Sequence, residues 1–333
     1  MVVLVTGGTG FVGSWTARAL ADAGHEVRFL VRTPEKLARA AGALGVNTSD
    51  TVVGDITDAA AVRRALAGCQ AVVHCAAVVA VGPGAAERME RTNLAGARHV
   101  VGEAVERGLR AVHVSSIAAL SRPGLRRLTA DLPVAPGLDA YGASKAAVDG
   151  YVRELAAQGA PVDLTYPTMV MGPPAGEQVG EGTEGVAKAV RVRLVPGREA
   201  AWNICDVRDL GRVHAAIVDR RLRPARWVAG GVHVRLSELV PMLAEASGRR
   251  LWQLPVPDGL LRAVGRAQDR VERVVPLERW GLRTPLTAAA MEYYTRVPVP
   301  DNGPVERELG VTFRDPAVTL RDAVAGLREL GRL

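Results

Sequence analysis

The sequence predicts an α/β protein, a doubly wound parallel sheet with a smaller C-terminal lobe, and three observations carry that expectation. A glycine-rich turn, Val5-Thr6-Gly7-Gly8-Thr9-Gly10-Phe11-Val12-Gly13, joins an apolar strand to a helix. Short apolar runs then alternate with longer helical patterns, the order that a parallel sheet covered on both faces requires. The polar and reactive residues cluster at the ends of those runs, where such sheets hold their ligands.

Residues 2–5 suit a buried strand, and residues 14–23 read as a helix with Trp15, Leu20 and small alanines, closed by Gly24. Between them Gly7 permits the tight turn, Gly10 lets phosphates approach the backbone, and Gly13 lets the helix press on the sheet. Backbone N–H groups at the helix start then face an anion, and the order of strand, turn, helix and second strand (25–31) is the one a dinucleotide site needs. Residues 50–55 read as a third strand and its exit loop, followed by a helix over about 59–67 and an apolar strand at 71–74. A helix over about 93–107 leads to the fifth strand, 111–114, which ends at Ser115-Ser116. A helix over about 141–157 precedes the sixth strand, 162–166. Beyond Pro167 the texture changes: residues 171–174 and the glycine-rich run 176–185 read as a loop or lid. The nucleotide domain is therefore placed at 1–167 and the smaller, mainly substrate-binding lobe at 168–333. Segments near 202–210 and 227–234 are expected to return to the sheet, and a helix covers about 237–247. The carboxyl-end rule puts Gly7 to Gly13, Arg32, Asp55, Ala76-Ala77 and Ser115-Ser116 along one rim.

Composition narrows the function classes. The chain has 333 residues, 48% of them hydrophobic, with a mean hydropathy of +0.09. No apolar run approaches the roughly 18 residues of a membrane span, and the opening strand leaves no room for a signal peptide, so a cytoplasmic location is expected. Cys69, Cys75 and Cys205 are widely spaced among apolar neighbours and read as reduced thiols. The net charge of +7 comes mostly from arginines dispersed over helices, as at Arg63-Arg64 and Arg249-Arg250, and aromatic residues make up 4%. That pattern argues against a nucleic-acid partner. Residues 259–280 place Leu260, Leu261, Val264, Val271, Val274 and Val275 at helical spacing with Arg262, Arg266, Arg270 and Arg273 opposite. Such a stripe is expected to pack on its own protein rather than on a membrane. His74, His113 and His214 sit in apolar settings without metal-ligand spacing, so no metal is expected.

Tyr141-Gly142-Ala143-Ser144-Lys145 puts a phenol and an ammonium one turn apart on one helix face. With Ser116 at a strand end on the rim, and with the glycine turn, it resembles the signature of the extended short-chain dehydrogenase/reductases. The resemblance extends to Gly54-Asp55, His74-Cys75-Ala76-Ala77, Thr92-Asn93, Tyr166-Pro167, Gly172-Pro173 and Asp206-Val207-Arg208-Asp209. The chain is most similar to the dihydroflavonol reductase and cinnamoyl-CoA reductase group. The resemblance implies a Rossmann lobe binding NAD(P) and a small C-terminal substrate lobe. In carbonyl reduction a phenol can give its proton to the developing alkoxide. Lys145, close to Tyr141, would lower the phenol's pKa from near 10. Ser116 would hold the carbonyl oxygen; Ser115 stands as the less favoured serine. The family implies that Lys145 also binds the nicotinamide ribose and that dimers form through the helices near 93–107 and 141–157.

The second strand ends Val31-Arg32-Thr33-Pro34, with no carboxylate for the adenosine ribose. Arg32 offers a planar fork suited to a 2′-phosphate and Lys36 adds charge, so NADP(H) is expected over NAD(H). Asp55 and Ile56 resemble the family's adenine contacts. Ala76, Ala77 and Val78 would line the cofactor, and Pro167 and Val170 the wall around the nicotinamide. Sugar-nucleotide epimerases share this scaffold and usually grip the substrate phosphate with an arginine. Trp202 stands at that position here and would offer an apolar plate, with Arg191, Arg193 or Arg198 as possible replacements for the lost cation. The expected activity is therefore reduction of an apolar ketone or aldehyde, or oxidation of the corresponding alcohol. A sugar-nucleotide epimerase or dehydratase, a steroid dehydrogenase, and a non-catalytic cofactor sensor are the alternatives. Asp149, where the family often has glutamate, and Thr168-Met169, where it often has small residues, depart from the pattern.

Overall fold

The computed structural model describes residues 1–79, 84–220, 223–274 and 286–333. Its centre is a parallel sheet of β1 (Val2–Thr6), β2 (Glu26–Val31), β3 (Thr51–Val53), β4 (Ala71–His74), β5 (Arg110–Val114), β6 (Val162–Pro167) and β7 (Arg226–Ala229). The spatial order is β7-β6-β5-β4-β1-β2-β3, with every neighbour parallel. The order reverses between β1 and β4, which opens a crevice beyond their carboxyl ends.

Alternation along β1 supplies both layers of core. Val3 and Val5 pack with Leu20 of helix α1 (Phe11–Asp22), while Leu4 joins the opposite cluster with Val62 and Val148. Burying both faces is why these strands read as continuous apolar runs rather than as alternating ones. Helix α2 (Ala140–Ala157) covers the Leu4 side, and helix α4 (Val207–Asp219) packs beside α1 on the other. Helix α3 (Glu181–Val192) belongs to a second body of packing around Trp202, Leu239 and Leu320.

Several expectations change. The helix expected over 93–107 begins at Ala85 and continues through a π-helical turn at Arg98–Gly102 to Glu106. Ala85 and Met89 supply the buried side of its first turns, which the intervening charges Glu87, Arg88, Glu90 and Arg91 had obscured. The glycine run 176–185 is not all loop, because α3 starts at Glu181. Gly182 is a packing residue: a Cβ there would lie 2.5 Å from the Val170 carbonyl oxygen. The strand expected near 202–210 is Ala201–Asp206 and lies in a separate sheet, parallel to Met169–Met171 and antiparallel to Val232–Arg235. The segment 227–234 is likewise divided, with β7 in the central sheet and Val232–Arg235 in the smaller one. The turn between them uses Gly231 at φ +65°, where a Cβ would strike the Ile204 carbonyl.

The stripe in 259–280 forms helix α5 (Asp258–Val274), followed by α6 (Ala288–Thr295). Contrary to expectation, Leu260, Val264 and Val271 are exposed. The helix packs on its other side, where Gly265 meets Thr287 and Ala288, and Arg262 donates to Thr295 Oγ1 at 2.9 Å. Val275 and the rest of that stretch lie outside the described residues. Among the described residues no helix is long and apolar enough to cross a membrane, and no cluster of His, Cys, Asp and Glu is arranged to hold a metal.

Candidate active site

The turn after β1 is built by exclusion. Gly7 adopts φ +76°, and a Cβ there would come within 2.8 Å of the Ala76 backbone nitrogen. At Gly13 a Cβ would sit 2.2 Å from the Gly7 carbonyl oxygen, so the first turn of α1 rests directly on the loop. The Gly10 N–H donates to the Gly7 carbonyl at 2.9 Å, and the Ser14 hydroxyl bridges the Gly8 and Gly10 carbonyls at 2.9 and 2.8 Å. No side chain caps α1, which leaves its first backbone N–H groups facing the crevice for an anion. These constraints fit a dinucleotide pyrophosphate.

From this turn a groove runs over β2, β3 and β4, lined by Gly7, Thr9, Gly10, Arg32, Asp55, Ile56, Ala76, Ala77 and Val78. It adjoins a cavity of about 620 Å³ lined by Phe11, Val12, Gly13, Ser116, Tyr141, Lys145, Pro167 and Val170. The two share Gly7, Gly10, Cys75 and Ala77 and together form one continuous site. Of the residues expected to hold the cofactor or carry the reaction, Lys36 alone borders neither space: it lies exposed on the short helix Pro34–Arg39. Arg32 approaches Asp55 at 3.5 Å while its side chain stays 74% exposed at the mouth of the groove. Partial burial would raise the Asp55 pKa, but hydrogen bonds from Thr57 and the charge of Arg32 hold it below the ordinary value. Asn93 clamps the groove edge, accepting from the Val78 N–H at 2.7 Å and donating to the Val78 carbonyl and to Ser144 at 3.0 Å.

Tyr141 lies in the first turn of α2, which Asp139 caps by accepting the Gly142 N–H at 2.7 Å. Burial raises the phenol above its ordinary pKa; the Ser116 hydroxyl pulls the other way, and the carboxylates of Glu181 and Asp139 add to the rise. Lys145, one turn on, is 8% exposed and donates to the Val114 carbonyl at 3.2 Å. Its burial pushes the ammonium down to about 8, against the opposing charges of Asp149 and Glu181. The expected lowering of the phenol by Lys145 is therefore not found, because burial dominates and the ammonium is turned onto the backbone. Ser116 caps the short turn Ile117–Ala119, accepting from the Ala118 N–H at 3.2 Å, and faces Tyr141. Ser115 also borders the cavity, but its hydroxyl donates to buried Asp149 at 2.7 Å. Asp149 also accepts from Tyr166 at 3.2 Å and pairs with Arg153 at 2.6 Å, so Ser115 belongs to a network behind the site. Ser116 is thus the serine whose hydroxyl faces the phenol.

The cavity wall differs from expectation at one strand. Trp202 is buried in the core of the smaller lobe and does not line the cavity; Asn203, on the alternate face, does. Asn203 is held by His233 at 2.7 Å and by donation to the Pro298 carbonyl at 2.8 Å. Neither Arg191, Arg193 nor Arg198 lines the cavity. Thr168 and Met169 do, and the Thr168 hydroxyl donates to the Gly230 carbonyl at 2.7 Å. Glu181, Asp139, Asn203 and Tyr293 complete the polar wall. None of the four carries a local motif, and three of them belong to elements that reach the cavity only through tertiary packing. His74 and His214 are structural, bonded to Thr6 at 2.7 Å and Thr16 at 2.8 Å, whereas His113 is buried without a hydrogen-bond partner.

Comparison with known proteins agrees with this geometry. The model of the NAD dependent epimerase/dehydratase family matches residues 3–230. Sterol demethylase protein B of Methylococcus capsulatus is 29% identical over 349 aligned residues that cover all of both chains. A putative dihydroflavonol 4-reductase of Synechocystis sp. is 29% identical, with 96% of this chain and 92% of the relative covered. Among solved structures, gox2253 superposes with a TM-score of 0.80 at 25% identity, covering 100% of this chain and 99% of that one.

Proposed function

The chain belongs to the NAD dependent epimerase/dehydratase family, and from that premise we propose that it is an NADPH-dependent reductase of apolar ketones or aldehydes, with Tyr141 as the proton donor. Within the family it is an extended short-chain dehydrogenase/reductase of the dihydroflavonol and cinnamoyl-CoA reductase group. Such enzymes use a nicotinamide dinucleotide, which supplies the hydride when bound.

The observation that carries the substrate class is the charge of the cavity wall. Among the described lining residues Lys145 is the one cation, while Asp139 and Glu181 are acidic, and much of the remainder is apolar, including Phe11, Ile117, Met169 and Val179. A sugar nucleotide would have to bring its diphosphate against those carboxylates with no arginine among the described lining residues to receive it. An uncharged apolar carbonyl meets no such penalty. The name of the full-length Methylococcus relative favours a sterol-like substrate as one member of this class, in which case the alcohol-oxidising direction uses the same residues.

Ser116 holds the carbonyl oxygen by a hydrogen bond, and Tyr141 gives its proton to that oxygen as negative charge develops there. Burial keeps the phenol protonated at neutral pH, which suits proton donation. Lys145 leaves the Val114 carbonyl to bind the ribose and to stabilise the phenolate left behind. Arg32, at the groove mouth, binds the 2′-phosphate, releasing Asp55. Screening apolar ketones and aldehydes for NADPH consumption, with UDP-sugars as controls, tests the reading; conversion of a UDP-sugar without net cofactor loss contradicts it.

Arg32→Ala gives a separate check on the cofactor. Losing a charge-assisted contact is expected to lower kcat/KM for NADPH by about 10- to 100-fold while leaving NADH within about twofold. A wild-type kcat/KM for NADH equal to that for NADPH overturns the cofactor assignment.

A further inference from the structure

We propose that Tyr293 positions the substrate by donating a hydrogen bond to a second oxygen on it, so that this cavity selects apolar carbonyl compounds bearing another acceptor near the reacting group. The inference rests on the reductase reading above. Tyr293 comes from α6 of the C-terminal half and lines the same cavity as Ser116 and Tyr141. Its hydroxyl oxygen is buried and has no hydrogen-bond partner. The Leu138 backbone amide approaches it without reaching hydrogen-bond geometry, and no acceptor receives its proton.

The position of that hydroxyl is set by the catalytic helix. It lies 3.1 Å from the point where a side chain on Gly142 would begin, and Gly142 is the neighbour of Tyr141. The phenol hydroxyl therefore lies against the first turn of α2, one residue along from Tyr141, while the side chain borders the shared cavity. Burial, with the nearby Asp139 carboxylate, holds its pKa well above the ordinary phenol value, so it stays a donor.

Other neutral polar groups on this wall are already engaged. Asn203 is held at both ends by His233 and Pro298, and the Thr168 hydroxyl is spent on Gly230. The adjacent Tyr294 shows what a structural phenol looks like on the same helix, with its hydroxyl donated to the Pro196 carbonyl at 2.6 Å. A phenylalanine at 293 would fill the same space without leaving a desolvated hydroxyl unpaired, and pairing with the substrate removes that cost.

The test compares wild type with Tyr293→Phe on an apolar ring ketone and on its hydroxylated counterparts, the hydroxyl placed at successive ring carbons. The variant is expected to lose about 10- to 100-fold in kcat/KM for at least one hydroxylated ketone, to stay within about twofold on the parent ketone, and to keep its NADPH affinity. Equal losses on parent and hydroxylated ketones, or no loss on any, overturn the proposal. If wild type turns over no ketone, the reductase reading fails by itself. The Tm increase produced by the corresponding diols in the presence of NADP then decides Tyr293: a smaller increase in the variant supports the hydrogen bond, and an equal one refutes it.

Discussion

Tyr141→Phe is expected to lower turnover by about 10²- to 10⁴-fold, the range for loss of a positioned general acid, while NADPH affinity and Tm stay close to wild type. The substitution removes one oxygen from the first turn of α2, and the cap from Asp139 to Gly142 is untouched. Ser116 remains to hold the carbonyl oxygen, so the variant retains substrate binding and loses the proton. The pH dependence follows from the same group. Alcohol oxidation needs the phenolate, and burial, Glu181 and Asp139 all raise the phenol's pKa. The oxidation rate is therefore expected to climb with pH through the alkaline range, and Glu181→Gln should move that rise to lower pH. Tyr141→Phe should abolish the rise. A Tyr141→Phe enzyme with near wild-type turnover removes the phenol from the reaction.

Lys145→Met is expected to do two opposite things: lower turnover by about 10²- to 10³-fold, by analogy with loss of an electrostatic stabiliser, and stabilise the fold. The ammonium is held at about 8 in the folded protein against an ordinary value of 10.5, mainly by burial. Its pKa is depressed, so the unfolded chain binds more protons between those values and stability rises with pH across that window. Below about pH 8 both states are protonated and the full burial cost is present, roughly 3 kcal/mol from the size of the shift. Methionine removes the charge but leaves the Val114 carbonyl without this donor, which costs about 1 kcal/mol. The net gain near neutral pH is roughly 2 kcal/mol, visible as an increase of a few degrees in Tm that shrinks as the pH approaches 10.5. A variant less stable than wild type at neutral pH, or a difference that does not vary with pH, contradicts this account of Lys145.

Where a residue is constrained by its own neighbours, the sequence showed its place. Gly7 and Gly13 could be assigned because a turn from strand to helix around a phosphate excludes side chains, and the clashes at 2.8 and 2.2 Å are that exclusion. Placing Tyr141 and Lys145 one turn apart on a helix needed only their spacing, and placing Ser116 on the rim only its position after a strand. Faces and packing partners were harder to read. Trp202 and Asn203 are successive residues on a strand, and a one-residue change of register exchanges the side facing the cavity for the side facing the core. The glycines from 180 to 185 resembled a lid because glycine serves both turns and close packing. Gly180 leaves room for the Phe11 ring, and Gly182 for the Val170 carbonyl, as neighbours distant in sequence dictate. Tyr293 gave no local signal, since what makes it relevant is the folding of α6 against α2. Lys36 shows the converse: its charge suits a phosphate, yet it stands exposed on its short helix and lines neither the groove nor the cavity.

The most direct measurement is the fate of a labelled hydride. The protein would be incubated with an apolar ketone and NADPH carrying deuterium at the transferable position of nicotinamide C4, with Tyr141→Phe as the control. The account predicts one equivalent of NADP formed per alcohol, deuterium on the carbinol carbon, and both lost in the variant. Failure of any ketone or aldehyde to take up deuterium, with interconversion of a UDP-sugar and no net oxidation of cofactor, would contradict it.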